Sequence, residues 1–194
     1  DNVPLRGLKR VTERDEMLSG QVCCADEPDL NAARYRADLL CCQLNALPMT
    51  ETELRKQVLR QLLGKVGENC AINPQFRCDY GSYIQLGENF FANYNCVILD
   101  CAPVTFGDNV FIAPNCGFYT AGPPLDYPTR NALLEFAKPL TVGDNVWIGG
   151  NAAVLHGVTL GSGAVIGAGR LVRRDIPEHV PAVGNPCRPI CSLN

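Results

Sequence analysis

A chain of 194 residues is long enough for one compact domain with its own core and too short for two of ordinary size. With 46% hydrophobic and 19% charged residues its composition is globular, and no apolar run reaches the ~18 residues of a membrane span. A net charge of −3 excludes a general affinity for nucleic acid, so an anionic ligand would need a local basic cluster.

In chain order, Asp1 to Arg10 carry charge and no hydrophobic stretch, so no secretory signal is read there and the expected location is the cytoplasm. The eleven cysteines include no CxxC pair, and only two histidines accompany them. A metal site is therefore not expected, and the thiols are read as reduced and mostly buried, acting as small hydrophobes.

Residues 1–65 read as a helical element that packs on the remainder of the chain. Thr12 caps a short helix that stops at Gly20. Pro28 stands where a first-turn proline belongs, and Leu30, Ala33, Ala37, Leu40, Leu44 and Leu47 continue at helical spacing until Pro48. Thr50 with Glu53 forms a capping box for a third helix, whose apolar stripe of Leu54, Val58, Leu62 and Leu63 is closed by Gly64.

From Val66 onward the period is six. Six consecutive hexads begin at Val142, Ile148, Val154, Leu160, Ile166 and Val172, every one a branched aliphatic. Earlier hexads begin at Val66, Ile72, Leu86, Ala92, Phe106 and Ile112. So short a repeat predicts a parallel β-helix over 66–194, in which each hexad is one flat strand plus a corner and three hexads close a triangular coil. The leading side chain points inward. Gly-Asp-Asn and Gly-Ser-Gly segments make the corners, and small residues such as Ala152 and Ala164 are expected inside them. A β-sandwich with frequent turns is the alternative, and unbroken aliphatics at six hexads argue against it. The inserted loop 118–139 lacks the spacing, and its prolines and aromatics suggest an ordered arm reaching over a neighbouring surface.

The runs FRCDYGSYIQLGENFFANYNCVILD, KPLTVGDNVWIGGNAAVLHGVTLGSGAVIGAG and DIPEHVPAVGNPCR resemble the maltose/galactoside O-acetyltransferase family, as does GQVCCADEPDLNAAR from Gly20. The resemblance extends through nearly the whole chain. It implies a mostly β, left-handed β-helix assembled as a homotrimer with sites between subunits, acetyl-CoA as donor and a sugar hydroxyl as acceptor. In such enzymes a histidine in a T-x-G-H-P-x-D loop accepts the hydroxyl proton, which a weak nucleophile requires. Here Thr120-Ala121-Gly122-Pro123-Pro124-Leu125-Asp126 puts Pro123 at that position, and proline has no titratable group.

By the same resemblance Asp79 and Asn93 line the acceptor pocket. Read from the residues alone, Asp79 is equally a coil-stacking residue and Asn93 a corner residue. Cys101 stands where some members carry a second acid, making the pocket less polar, and Tyr119 adds an apolar wall. Trp147, Gly150 and Ala168 correspond to the pantetheine channel, and Arg173, Arg174 and Arg188 to the nucleotide phosphates, although surface arginines read the same way. Arg170 replaces a small corner residue and is expected to bend outward beside Trp147, against coenzyme A binding. A second family arginine corresponds to Cys191 and is absent. His156 is read as an exposed turn residue or as a substitute base, and His179 is a weaker candidate.

Three functions fit these residues. The first is an inter-subunit site repurposed for isomerisation, cyclisation or elimination of a small molecule. The second is acetyl-CoA-dependent O-acetylation with His156, or a water held by Asp79, as base. The third is a non-catalytic trimer that binds a small molecule.

Overall fold

The computed structural model describes residues 11–191. Its N-terminal part holds three helices. Helix α1 (Glu13–Ser19) is capped by Thr12 in a capping box with Asp15 and ends at Gly20, whose φ of 76° is left-handed. Helix α2 (Pro28–Ala46) opens on Pro28 with the Glu27 carboxylate accepting from the Asp29 and Leu30 amides. Helix α3 (Thr52–Leu62) departs from expectation. Its N-cap is Glu51, without a side-chain cap bond, so Thr50 lies one residue outside the helix and the capping box does not form.

The remaining chain winds into a parallel β-solenoid of about six turns with three faces. One face stacks Arg77–Cys78, Val97–Leu99, Gly117–Tyr119, Ala153–Leu155 and Leu171–Val172. The second stacks Lys65–Val66, Ile84–Leu86, Val104–Phe106, Leu140–Val142 and Thr159–Leu160. The third runs from Ala71–Ile72 to Pro181–Val183 and is finished by the antiparallel strand Arg188–Pro189. Leading residues of the hexads fill the interior: Phe106, Val142, Ile148, Val154, Leu160, Ile166 and Val172 are all at most 2% exposed. Helices α2 and α3 share that core through Ala37, Leu44, Val58 and Leu62. Arg55, itself buried, ties them down by donating to the carbonyls of Leu44, Leu47 and Ile72 at 2.7–2.9 Å.

The inner corner positions are less restrictive than expected. Ala152 and Ala164 are buried there, but so are Val146, Val158 and Phe90. Cys70, Cys96 and Cys116 fill the same positions, buried without disulfides, so three of the thiols serve as compact core residues.

Asparagine makes the outer corners. Asn69, Asn89, Asn109 and Asn145 all have φ between 55° and 58°, and the first three each donate their side-chain amide to the next in a ladder of 2.9–3.2 Å bonds. Asparagine tolerates this left-handed backbone because its short amide bonds locally, whereas other L-residues lose roughly 1–2 kcal/mol. Asn109→Ala is therefore expected to lower stability by about 1–2 kcal/mol, and Asn109→Gly by less, in thermal unfolding.

One corner breaks the six-residue period. Ladder bonds in the first coils join residues 20 apart, whereas Asp144 reaches Ser162 across 18. The two extra residues per coil fall at one corner, first in the Asp79–Tyr83 segment and then around Cys101, and one coil later the arm leaves from Thr120. The arm is ordered on its own chain. Ala121–Gly122 pairs antiparallel with Leu134–Ala137, which pairs in turn with Cys23–Cys24, and a short helix α4 (Tyr127–Asn131) joins the two arm strands.

Candidate active site

The extended corner, the arm and the start of α2 line an open cavity of about 340 Å³. Its polar wall is Arg34, Asp79, Cys101 and Glu135, and Gly122 and Pro123 also line it. Asp79 and Cys101 therefore meet as expected, with the Cys101 thiol donating to Asp79 Oδ2 at 3.3 Å. Nothing in the sequence singles out Arg34 or Glu135. Arg34 lies on an otherwise ordinary helix face, and Glu135 enters only because the arm strand pairs with Cys23–Cys24.

Burial sets the electrostatics. It pushes the Asp79 carboxyl above its usual range, against the Cys101 hydrogen bond and the Arg34 charge. Glu135 is raised by burial and by Asp79, again against Arg34. Cys101 is pushed far up by burial and by both carboxylates, so its thiol stays protonated and acts as a donor, not a nucleophile. Among the described residues neither Asp79 nor Glu135 forms an ion pair. The Arg34 guanidinium is instead held by Tyr80 Oη at 2.7 Å, the Ala25 carbonyl and the Asn31 side chain.

Beneath this wall lies Asp100, completely buried. Its Oδ1 accepts the Asp79 and Tyr80 amides at 3.1 and 2.8 Å, and its Oδ2 accepts the Tyr83 amide at 3.2 Å. This carboxylate shapes the extended corner and thereby aims Asp79.

Other sequence candidates stand elsewhere. Asn93 accepts from Asn73 and from the Tyr94 amide and does not line this cavity. Tyr119 folds its hydroxyl back over Gly117, where a Cβ would collide with it. Trp147 is 57% exposed on the third face, and the pairing of Ile148 with Ile166 brings Gly150 next to Ala168 one coil on. Arg173, Arg174 and Arg188 are exposed, and no carboxylate pairs with them among the described residues. Arg170 is half-buried beside the Gly150–Ala168 corner. Its Nε is enclosed without a hydrogen-bond partner, 3.4 Å from where a Cβ on Gly167 would stand and close to Val183. The bare glycine backbone leaves it that room.

His156 is not an exposed turn residue either. It is half-buried, edge-on to Phe136 at 5.3 Å between centroids, with Nδ1 enclosed and unpartnered. His179 is exposed at a corner of φ 54°, packed over Gly163. No cluster of potential metal ligands and no helix long and apolar enough to cross a membrane occurs among the described residues.

A solenoid of six-residue repeats with a folded arm over a small cavity defines a hexapeptide-repeat protein of the transferase type. Residues 16–67 match the maltose acetyltransferase hexapeptide capping motif, and residues 139–169 match the bacterial transferase hexapeptide (six repeats). A Saccharomyces cerevisiae relative named "Putative acetyltransferase YJL218W" is 51% identical over 177 residues, 91% of this chain and 90% of the relative. The crystal structure of a maltose O-acetyltransferase from Clostridium difficile 630 matches with a TM-score of 0.94 at 44% identity, covering 96% of this chain and 100% of that one. A galactoside acetyltransferase in complex with coenzyme A matches with a TM-score of 0.91 at 36% identity, covering 100% of this chain and 92% of that one. The chain belongs to the maltose/galactoside O-acetyltransferase family of hexapeptide-repeat proteins.

Proposed function

We propose that the protein transfers an acetyl group from acetyl-CoA to a hydroxyl of a small polar acceptor bound in the Arg34–Asp79–Cys101–Glu135 cavity. The observation that carries this reading is the cavity itself. Its wall offers two carboxylates and a guanidinium to an acceptor's hydroxyls, and the Gly122–Pro123 turn of the arm lines it. That turn corresponds to the segment from which the family takes its base. Acetyl transfer thus outranks the repurposed-site reading. The unpaired, raised carboxyls of Asp79 and Glu135 are what still favour the latter, since they suit proton transfer within a substrate.

The donor side fits coenzyme A. The exposed indole of Trp147 and the Gly150–Ala168 corner suit its pantetheine arm, and the carboxylate-free arginines Arg173, Arg174 and Arg188 suit its phosphates. When bound, the thioester supplies an activated acyl carbon; the chain supplies binding, orientation and proton transfer. A homotrimer belongs to the same reading, with exposed Phe111 and Trp147 on the third face supplying apolar interface.

Calorimetric titration with acetyl-CoA, followed by thiol-release assays over a panel of sugars and polyols, tests the proposal. Binding with acceptor-dependent release of free thiol is expected. Absence of acetyl-CoA binding would overturn it.

A further inference from the structure

Acyl transfer to a hydroxyl needs a proton acceptor, and the cavity wall offers only the carboxylates of Asp79 and Glu135. Pro123 has none, the Cys101 thiol is pushed up, and Asp79 is engaged by Cys101. His179 packs over Gly163 on a different coil corner. One ring remains.

His156 comes directly after the Ala153–Leu155 strand, and the pairing of Tyr119 with Leu155 sets it beside Thr120, one coil beyond the point where the arm departs. Its Cδ2 and Nε2 lie 3.7 and 3.8 Å from the position a Cβ on Gly122 would take, so the ring edge faces Gly122. Phe136, which pairs with Gly122 across the arm, meets the ring edge-on at an interplanar angle of 82°. Glycine on one side and phenyl on the other fix the ring's orientation. Nδ1 is enclosed and unpartnered, an exception among buried polar atoms that calls for a functional account. Nε2 is on the edge turned to Gly122, and Gly122 and Pro123 both line the cavity.

Resting on the acetyl-transfer reading, we propose that His156 is the general base of this enzyme, delivered by the next coil of the solenoid in place of a histidine on the arm. The acceptor hydroxyl gives its proton to the imidazole as its oxygen bonds to the acetyl carbonyl carbon. The carbon–sulfur bond then breaks, its electron pair goes to sulfur, and the imidazolium returns the proton to that sulfur. An ester and a free thiol leave, and the histidine is neutral again.

His156→Gln retains the polar bulk of the ring, and His156→Ala opens a space beside Gly122. Both are expected to lower kcat by about 10²–10⁴-fold with acetyl-CoA affinity and melting temperature unchanged. Added imidazole should restore part of the rate in His156→Ala, which a packing role would not allow. Pro123→His in the His156→Ala background should recover activity from the arm. If wild type transfers acetyl and His156→Gln keeps its rate, His156 is overturned and the acetyl-transfer reading stands. If wild type binds acetyl-CoA but transfers only after Pro123→His, His156 is likewise overturned. Failure of acetyl-CoA to bind removes the function and the base together.

Discussion

Asp100→Ala is expected to lower the unfolding free energy by about 3–9 kcal/mol, because three amides lose their acceptor at about 1–3 kcal/mol each. The amides are those of Asp79, Tyr80 and Tyr83, and the side chain is fully buried, so water does not replace it. The same change releases the corner that aims Asp79 and the Tyr80 hydroxyl that holds Arg34, so acceptor KM should rise in whatever protein still folds. Urea unfolding of wild type and variant measures the first effect. A loss below about 1 kcal/mol, the range of an ordinary surface change, would show that the amides are satisfied otherwise.

The carboxyl also carries a pH dependence. Burial pushes Asp100 up to about 6, with Asp79's charge adding and backbone N–H bonds opposing. Because the folded protein holds the proton more tightly than the unfolded chain, the stabilisation is complete below about pH 4 and is lost as pH rises through about 6. The loss amounts to roughly 3 kcal/mol, at 1.36 kcal/mol per unit. Asp100→Asn removes this titration, so its unfolding free energy should fall less than wild type's between about pH 4 and pH 7. Equal slopes would contradict the assignment.

Phe106→Ala has the largest expected effect on the solenoid core, about 3–5 kcal/mol. Phe106 is 2% exposed and stands between Phe90 and Phe118, with ring centroids 5.0 and 5.2 Å apart in edge-to-face contact. Removing the central ring leaves a cavity bounded by coils whose spacing is fixed by backbone ladders, so the walls cannot collapse to fill it. Phe106→Leu, which keeps most of the volume, should lose far less, and urea unfolding of the pair separates cavity formation from loss of ring contact.

The solenoid was legible because its information is local. Each hexad from Val142 to Val172 announces its own inward residue, and the asparagine corners announce their own backbone. The helices around Thr12 and Pro28 read correctly for the same reason, whereas the box at Thr50 failed by one residue because nothing beyond the local pattern selected between Thr50 and Glu51. Even the site's whereabouts left a trace. The hexads skip two residues after Ile72 and again after Ala92, at the corner where the Asp79–Tyr83 segment and Cys101 later form the cavity wall.

What the sequence by itself determined is the coil, its core and its family, since burial of an aliphatic every sixth residue needs no knowledge of distant partners. Tertiary structure decided the site. Arg34, Asp79 and Glu135 are brought together by pairing between Cys23–Cys24 and the arm, more than a hundred residues away, and His156 becomes half-buried only because Gly122 and Phe136 of that arm close on it. Contacts between segments so far apart carry no periodic signature; only the folded chain lays the arm over that corner and sets two scattered acids in one cavity wall.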